Sequence, residues 1–282
     1  MFISVDQCDF GQCFTAEKRQ PKTRFPYVHR TFRRLALVVV TILCLIVPGR
    51  AAAQPLTIVS SEYPPLGYVK DGEIVGITVD LIKVLLKRTG IDGKFAMYSW
   101  PRAYEMAQTQ KDVAIYTLTY SEERARLFQL VGPIVQDTEC FFKLKTRKDV
   151  VVKDLNDAKR YRIGVVRGSF ARGYLLERGF EEGKNVETVH EDDLNAKKLA
   201  SGRIDLMLLP EKNFIDRVKR LGYKADDFEN AMPVFFDYSY LAFSKQTSPD
   251  VVARFATELD AIKKDGSYYR IMGPYAAQPT QK

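Results

Sequence analysis

The hydrophobic residues of this chain follow two alternating spacings, one typical of β-strands and the other of α-helices. Residues 56–61 form a short apolar run, and residues 77–90 repeat apolar side chains at helical spacing up to Gly90, a residue type that commonly follows a helix. The apolar face of this helix comprises Val79, Ile82, Leu85 and Leu86. Further along, the pattern predicts a strand at 94–100, a helix at 101–110 and a strand at 112–118. Such alternation with short connections predicts an α/β fold, with a mostly parallel sheet and helices on its faces.

The same alternation restarts in the second half of the chain. Strands are predicted at 161–166, 185–190 and 204–209, and a helical pattern follows each of them. Two long extended stretches, 138–146 and 233–245, flank this unit. We therefore predict two lobes, the second inserted into the first, joined by a pair of crossing strands that act as a hinge. The predicted boundaries are 54–141 and 240–282 for lobe 1 and 142–239 for lobe 2.

The N-terminal segment, residues 1–53, has the plan of a secretory signal peptide. Arg30, Arg33 and Arg34 precede an apolar run at 35–47, and three alanines end the segment at 51–53. The alternative is a membrane anchor, but the apolar run of 13 residues is shorter than the roughly 20 that a spanning helix needs. We expect cleavage after Ala53 and export to the periplasm.

Export changes how the charge and the cysteines are interpreted. The whole chain carries a formal net charge of +8, but residues 54–282 alone hold 35 basic and 32 acidic residues, a net charge of +3. This mixed, weakly basic composition does not indicate a nucleic-acid partner. Cys140 is the only cysteine after residue 53, so we expect no internal disulfide and a fold stabilised by its hydrophobic core.

Ligands of open parallel sheets bind beside the carboxyl ends of the strands, where loops and helix N-termini converge. In a two-lobed protein these ends face each other across a cleft. The segments expected to line that cleft are residues 60–68, 99–102, 116–124, 167–170 and 209–213.

One of these segments carries polar side chains directly after a predicted buried strand. Thr117, Thr119 and Ser121 lead to Arg124, whose planar guanidinium matches the two oxygens of a carboxylate. A simpler interpretation is a solvated arginine paired with one of the two glutamates that precede it. Taken alone, the residue favours the simpler interpretation, whereas its position at a strand end favours ligand binding.

Five segments stand in a characteristic order and spacing: YPPLGYVKDGEIVGITVDLIKVLLKRTG (63–90), YTLTYSEERARLFQLVGPI (116–134), VKDLNDAKRYRIGVVRGS (152–169), LASGRIDLMLL (199–209) and ELDAIKKDGSYYRIMGPY (258–275). Together they resemble the periplasmic solute-binding proteins of ABC importers that serve polar amino acids. The resemblance covers nearly all of the chain after the signal peptide. It implies a type II periplasmic-binding-protein fold, a small polar ligand such as an amino acid or a carboxylate, a membrane ABC permease as partner, a monomer, and no cofactor.

The resemblance also implies roles for individual residues. Arg124 aligns with the arginine that pairs with the ligand carboxylate, and the turn before it supplies hydroxyl and N–H groups. Aromatic side chains, and the helix that starts beside Ser169, complete the implied site. The residues expected to bind ligand are Tyr63, Tyr68, Trp100, Tyr116, Thr117, Thr119, Arg124, Ser169, Phe170 and Glu211.

Two departures from the family pattern concern acidic residues. Amino-acid binders of the family carry an aspartate that neutralises the ligand ammonium at the position of Pro210, and another acidic residue at the position of Ser60. Glu211, next to Pro210, is the available substitute. The ligand is thus either an amino acid held by Glu211 or a small polar solute, such as a carboxylate, without that amine.

Two other functions stay open. Some relatives of this fold are periplasmic dehydratases of cyclohexadienyl acids, for which Glu211 or Glu62 is the candidate acid. Against an enzyme, the exported chain has a single histidine, His190, which we expect between a strand and a helix away from the cleft. No catalytic triad or metal cluster can be assembled from one histidine and one cysteine. The third interpretation is a protein that presents its ligand to a membrane receptor, and the preferred one is a transport-type binding protein without catalytic residues.

Overall fold

The computed structural model describes residues 55–277, so the predicted signal peptide at 1–53 lies outside the described residues. The strands within this range are β1 Leu56–Ser60, β2 Tyr68–Lys70, β3 Glu73–Val75, β4 Gly93–Met97, β5 Val113–Thr119, β6 Phe128–Leu144, β7 Ile163–Val166, β8 Val186–Val189, β9 Leu206–Pro210 and β10 Phe228–Ser244. The α-helices are α1 Ile77–Thr89, α2 Trp100–Thr109, α3 Glu122–Leu127, α4 Leu155–Ala158, α5 Phe170–Glu177, α6 Asp192–Ala200, α7 Glu211–Arg220, α8 Pro249–Lys264 and α9 Ser267–Met272. Two short 3₁₀ segments are Ala225–Asp227 and Gly273–Tyr275. Among these described helices, none combines the length and the apolar character that crossing a membrane requires.

Eight strands form one continuous sheet in the order β4-β1-β5-β10-β6-β9-β7-β8, and β2 pairs with β3 in a separate hairpin. β1 runs parallel to β4 and β5, and β7 runs parallel to β8 and β9. β6 and β10 are antiparallel to each other and to the strands beside them. Two parallel half-sheets are therefore joined by a pair of antiparallel crossing strands, which confirms the predicted two-lobed α/β fold. We call the half with β1, β4 and β5 the first lobe and the half with β7, β8 and β9 the second lobe.

The crossing strands β6 and β10 are longer than the sequence predicted. Each has 17 residues, whereas the predicted extended stretches cover only 138–146 and 233–245. Gly132 and Pro133, residue types that weaken a strand signal, lie where the register of β6 against β10 shifts, and this bulge accommodates them. The predicted lobe boundaries fall inside these two strands and stay predictions.

Each lobe has its own hydrophobic core against the sheet. Three members of the predicted apolar face of α1 are fully buried in the first lobe: Val79, Ile82 and Leu85. Gly90 follows α1 in the left-handed conformation, which confirms the predicted helix end. In the second lobe, Phe142 of β6 stacks on Phe214 of α7 with ring centroids 4.0 Å apart. Cys140, the only cysteine among residues 55–277, is a buried free thiol.

The C-terminal helices are tied to the sheet by one buried hydroxyl. Tyr268 of α9 is fully buried, and its hydroxyl donates to the carbonyl of Ile134 on β6 at 2.6 Å. The same oxygen accepts the N–H of Ala277 at 2.6 Å. Burial raises the pKa of Tyr268 to about 12, so the hydroxyl remains a neutral donor at physiological pH.

Replacing Tyr268 by phenylalanine removes both hydrogen bonds and leaves a buried carbonyl and a buried N–H without their shared partner. We expect Tyr268→Phe to lower the free energy of unfolding by about 1–3 kcal/mol, the usual cost of such unpaired groups. Tyr269→Phe is the matched control, since Tyr269 is 37% exposed and its loss should cost less than about 0.5 kcal/mol. Urea unfolding of both variants measures the difference, and equal free energies would contradict the anchoring role.

Candidate functional site

The carboxyl end of β5 turns directly into a short helix. Thr117 has a φ of 60°, a left-handed conformation that is unfavourable for a β-branched residue. Ser121 caps α3 by accepting the N–H of Arg124 at 3.1 Å. Thr119 donates its hydroxyl to a carboxylate oxygen of Asp237 on β10 at 2.9 Å. This polar stretch is therefore a strand end and a capped helix, and it fixes the position of Arg124.

Arg124 is buried, with 6% of its surface exposed. Its guanidinium donates to the carbonyl of Thr119 at 2.9 Å and to the carbonyl of Gly168 at 3.4 Å, but it forms no ion pair within residues 55–277. The interpretation of Arg124 as a solvated partner of Glu122 or Glu123 is therefore wrong. Burial lowers the pKa of Arg124, yet an arginine stays charged in proteins because its ordinary pKa is so high. The side chain is a buried cation that forms no ion pair with an acid of residues 55–277, although Glu123 and Asp237 attract its charge from farther away.

Aromatic rings surround the Arg124 guanidinium. Its central carbon lies 5.9, 5.5 and 5.8 Å from the ring centroids of Trp100, Tyr104 and Phe170 respectively, distances at which a cation is attracted to the ring faces. Trp100 also donates its indole N–H to the carbonyl of Gly168 at 3.1 Å. Trp100 and Tyr104 belong to the first lobe and Phe170 begins α5 of the second, so both lobes enclose the cation.

Arg124, Trp100 and Phe170 line a cavity between the lobes. The volume in which the centre of a water-sized sphere can move is about 80 Å³. A single water requires roughly 10–15 Å³ of such volume, so the cavity has room for a small solute. Seven predicted ligand-binding residues line the cavity: Tyr63, Trp100, Thr117, Thr119, Arg124, Ser169 and Phe170. Their contact with a ligand stays a prediction. The sequence did not single out the other lining residues as ligand contacts: Ser61, Glu62, Glu139, Val166, Ala171, His190, Glu191, Asp192, Leu208 and Leu209.

Three predicted residues lie outside the lining. Tyr68 of β2 packs under the guanidinium of Arg220, 4.8 Å from the ring centroid. Tyr116 is buried in the core, where a Cβ at Gly67 would lie 2.5 Å from the tyrosine hydroxyl. Glu211 is an exposed residue at the start of α7. The structure therefore does not bring these three side chains into the cavity.

The expectation that His190 lies away from the cleft is wrong, because His190 lines the cavity together with Glu191 and Asp192. β8 ends at Val189, and the chain turns at that edge of the sheet into α6. The rule that places loops after parallel strands at the cleft applies to this loop as well. The His190 side chain is 63% exposed, which places it at the rim.

The crossing strands also bring acids beside the cavity. Glu139 of β6 lines the cavity and is 8% exposed, and its Oε2 is a buried oxygen without a partner in residues 55–277. Burial raises the pKa of Glu139 well above its ordinary value, and repulsion from Asp237, Asp137 and Asp192 raises it further. In the pairing of β6 with β9, Glu139 stands directly opposite Pro210, so both side chains project from the same face of the sheet. A carboxylate is thus present on the strand beside Pro210.

Helix α7 holds the two lobes together through two buried side chains. Arg217 is 1% exposed, pairs with Asp192 at 3.7 Å and donates to the carbonyl of Glu62 at 2.8 Å. Asn213 donates to the carbonyl of Pro64 at 2.6 Å. Because Glu62 and Pro64 belong to the loop after β1, the second lobe is closed against the first.

The chain is similar to known proteins of one architecture. A probable histidine-binding protein of Campylobacter jejuni is 23% identical over 220 residues, which are 76% of this chain and 81% of the relative. A histidine kinase sensor domain with similarity to periplasmic binding proteins has a TM-score of 0.73 and 18% identity, covering 80% of this chain and 98% of that one. An ancestral arginine-binding protein bound to arginine has a TM-score of 0.70 and 21% identity, covering 78% and 97%. At these identities the two structures establish the fold alone.

The family itself is established by a match along most of the chain. The model of the bacterial extracellular solute-binding proteins, family 3, matches residues 56–278. This span includes both lobes, the crossing strands and every residue that lines the cavity. The chain therefore belongs to the bacterial extracellular solute-binding proteins, family 3.

Proposed function

We propose that this protein captures an amino acid, or a similar small polar carboxylate, in the cavity and delivers it to a membrane ABC importer. The main support is Arg124, a buried guanidinium on the cavity wall without an acidic partner in residues 55–277. A buried charge without an ion-pair partner costs several kcal/mol. Asp237 and Glu123 attract Arg124 only from beyond ion-pair distance, so a ligand carboxylate would supply the missing direct partner. The C. jejuni relative is named for histidine and the ancestral protein was solved with arginine, and both amino acids carry a carboxylate.

The surroundings of Arg124 hold the guanidinium ready for a carboxylate. The carbonyl of Thr119 and the ring of Tyr104 fix its orientation, so little freedom is lost when a ligand binds. A planar guanidinium donates two parallel hydrogen bonds to a carboxylate, and these are stronger than bonds between neutral groups. Trp100 from the first lobe and Phe170 from the second line the cavity near Arg124 and offer apolar contact to the rest of the ligand.

We propose that binding is coupled to closure of the two lobes. The ligand docks first on Arg124 and the turn before it, and the second lobe then adds Ser169 and Phe170. β6 and β10 serve as the hinge, since they are the strands that pass between the half-sheets. The contacts of α7 with the loop after β1 stabilise the closed form, which a permease would recognise.

We propose a periplasmic protein without catalytic activity. The family is extracellular, and removal of the predicted signal peptide would leave residues 54–282 as the mature chain. Of the two acids considered for a dehydratase, Glu211 lies outside the cavity lining. Glu62 accepts the N–H of Val69 at 2.9 Å and pairs with Arg220 at 3.3 Å. Both oxygens of the Glu62 carboxylate are therefore occupied, and neither is free to reach a substrate as a general acid. The alternative function, presentation of the ligand to a membrane receptor, would use the same ligand-binding site. It would differ from transport only in the membrane protein that recognises the closed form.

Replacing Arg124 by methionine removes the charge and keeps an unbranched side chain. We expect a thermal-shift screen of amino acids, their deaminated analogues and small carboxylates to find at least one ligand for the wild-type protein. Arg124→Met should bind that ligand about a hundredfold more weakly, because removing one partner of a buried charge pair costs about 2–5 kcal/mol. Isothermal titration calorimetry measures the two affinities.

The control for this experiment is Arg126→Met, at an exposed position on the same helix, which should bind like the wild type. Equal stabilisation of Arg124→Met and wild type by the ligand would contradict the carboxylate site. Turnover of prephenate, a cyclohexadienyl acid, would favour the dehydratase instead.

Asn213→Ala tests whether the contact with Pro64 stabilises the closed form. We expect ligand affinity to fall about five- to tenfold, the equivalent of about 1 kcal/mol for one hydrogen bond, mainly through faster dissociation. The order of preference among ligands should not change, because the amide does not line the cavity. Stopped-flow dissociation rates measure the effect, with Lys219→Ala, exposed on the same helix, as the control. An altered ligand preference would instead place Asn213 in the binding site.

A further inference from the structure

Four acidic residues line the cavity: Glu62, Glu139, Glu191 and Asp192. Three of them have a counter-charge or open access to water. Glu62 pairs with Arg220 at 3.3 Å, and Asp192 pairs with Arg217 at 3.7 Å. Glu191 has 45% of its side chain exposed.

Glu139 differs from these three. It is 8% exposed, its side chain forms no hydrogen bond or ion pair within residues 55–277, and its Oε2 is buried without a partner. We propose that the Glu139 carboxylate binds a positively charged ammonium group of the ligand, so that the ligand is an amino acid rather than a carboxylate without an amine. This inference rests on the proposed function, in which Arg124 holds the carboxylate of the same ligand.

The place of Glu139 in the sheet suits this role. Its neighbour across the β6–β9 pairing is Pro210, whose ring has no polar atom with which the carboxylate could bond. Leu208 and Leu209 of β9 line the cavity beside it, and apolar walls keep water away. In such surroundings a charge-assisted hydrogen bond to an ammonium group is stronger than in water.

The charges around Glu139 are negative. The titratable groups that face it or adjoin it are Asp137 on the same strand, Asp237 on β10, Asp192 on α6, Tyr63 after β1 and the adjacent Cys140. Arg124 and Arg217 offset Asp237 and Asp192 respectively, and Lys212 offsets Asp137. No basic side chain of residues 55–277 offsets Glu139 itself. The positive charge that would pair with Glu139 must therefore come from the ligand.

Geometry favours an organic cation over a metal ion. Within residues 55–277, no group of three or more histidine, cysteine, aspartate or glutamate side chains is placed to hold a metal ion. An ammonium group carries three N–H donors, and its positive charge can pair with a single carboxylate, without the several ligands that a metal ion requires. The opposite charges of Arg124 and Glu139 then match the two ends of a zwitterion.

Binding of an ammonium group should release a proton. Burial and the acidic neighbours raise the pKa of Glu139, so the empty site favours the neutral carboxyl more than an exposed glutamate does. A positive ligand group stabilises the ionised form and lowers that pKa again. A ligand that lacks the ammonium group should leave the proton in place.

The test compares Glu139→Gln with the wild type against matched probes. The first set is L-histidine, 3-(imidazol-4-yl)propionate without the ammonium, and histamine without the carboxylate. The second set is L-glutamine, 4-carbamoylbutanoate and 4-aminobutanamide, and an amino acid selected by the thermal-shift screen is added with its own two analogues. Measurements at pH 8 keep the imidazole neutral, so the ammonium is the only cation. Asp137→Asn is the control, since Asp137 is an acid on the same strand that does not line the cavity.

The wild type should prefer the bound amino acid over its deaminated analogue by at least about tenfold, the effect of one charge-assisted hydrogen bond. Glu139→Gln should lose this preference while its affinity for the deaminated analogue is unchanged, and Asp137→Asn should keep the preference. Calorimetry in buffers of different ionisation enthalpy, at a series of pH values from about 5 to 8, should find proton release by the wild type with the amino acid wherever the empty Glu139 is still protonated. Glu139→Gln should release none.

A ligand-free measurement supplements the binding assays. The folded pKa of Glu139 lies above its ordinary value of 4.5, so the unfolded chain releases the proton at a lower pH than the folded chain. Wild-type stability should therefore fall as pH rises above about 4.5, the ordinary value for an unfolded glutamate. Glu139→Gln lacks this loss, so its Tm should exceed that of the wild type by a margin that grows as pH rises from about 4.5 to the folded-state pKa of Glu139.

The outcomes separate this inference from the proposed function. A preference for the amino acid that survives in Glu139→Gln, or equal loss of affinity for the amino acid and its deaminated analogue, would overturn the Glu139 subsite and leave the Arg124 site intact. If no carboxylate probe binds the wild type, the proposed function fails. In that case the amine-only probes decide whether the Glu139 subsite exists. Binding of histamine or 4-aminobutanamide that disappears in Glu139→Gln supports the subsite. If the wild type binds neither probe, the subsite is overturned.

Discussion

The pairing of β6 with β10 is the interaction on which the rest of the structure depends. The two strands run antiparallel along most of their 17 residues. Each of them also carries one half-sheet, because β10 pairs with β5 and β6 pairs with β9. Both sets of parallel strands are therefore attached to the same two-stranded ribbon, and loops from both sets line one cavity. A change in the twist of such a ribbon moves one lobe against the other.

This arrangement places costly groups where a ligand can compensate them. Arg124 is a buried cation and Glu139 a buried acid, and neither forms an ion pair within residues 55–277. Thr117, on the same wall, holds a φ of 60° that is unfavourable for its side chain. Unpaired buried charges and backbone strain lower stability, and they are typical of binding sites because a ligand relieves part of the cost. The contacts of α7 across the cleft enclose these groups.

Much of the fold follows from local patterns. The buried face of α1, its end at Gly90 and the start of α5 after Ser169 are set by side-chain periodicity and by residues at helix ends, which act over a few positions. Arg124 was predicted at the cleft for a related reason, since loops after parallel strands converge. Tyr116 and Glu211 show the limit of that rule. A residue can stand at the right end of a strand or helix and still have its side chain in the core or in solvent.

Glu139 marks the boundary between sequence and tertiary structure. A single acid in the apolar stretch TECFF was visible in the sequence, and buried carboxylates are uncommon. Sequence patterns determined the two-lobed α/β fold, the crossing strands and the arginine at the strand end, because these depend on periodicity and element order. Only the tertiary structure decided that Glu139 stands opposite Pro210 without a partner, and that His190 and Asp192 line the same cavity. Strand register and helix packing join residues that are distant in sequence, and no local pattern encodes which of them meet.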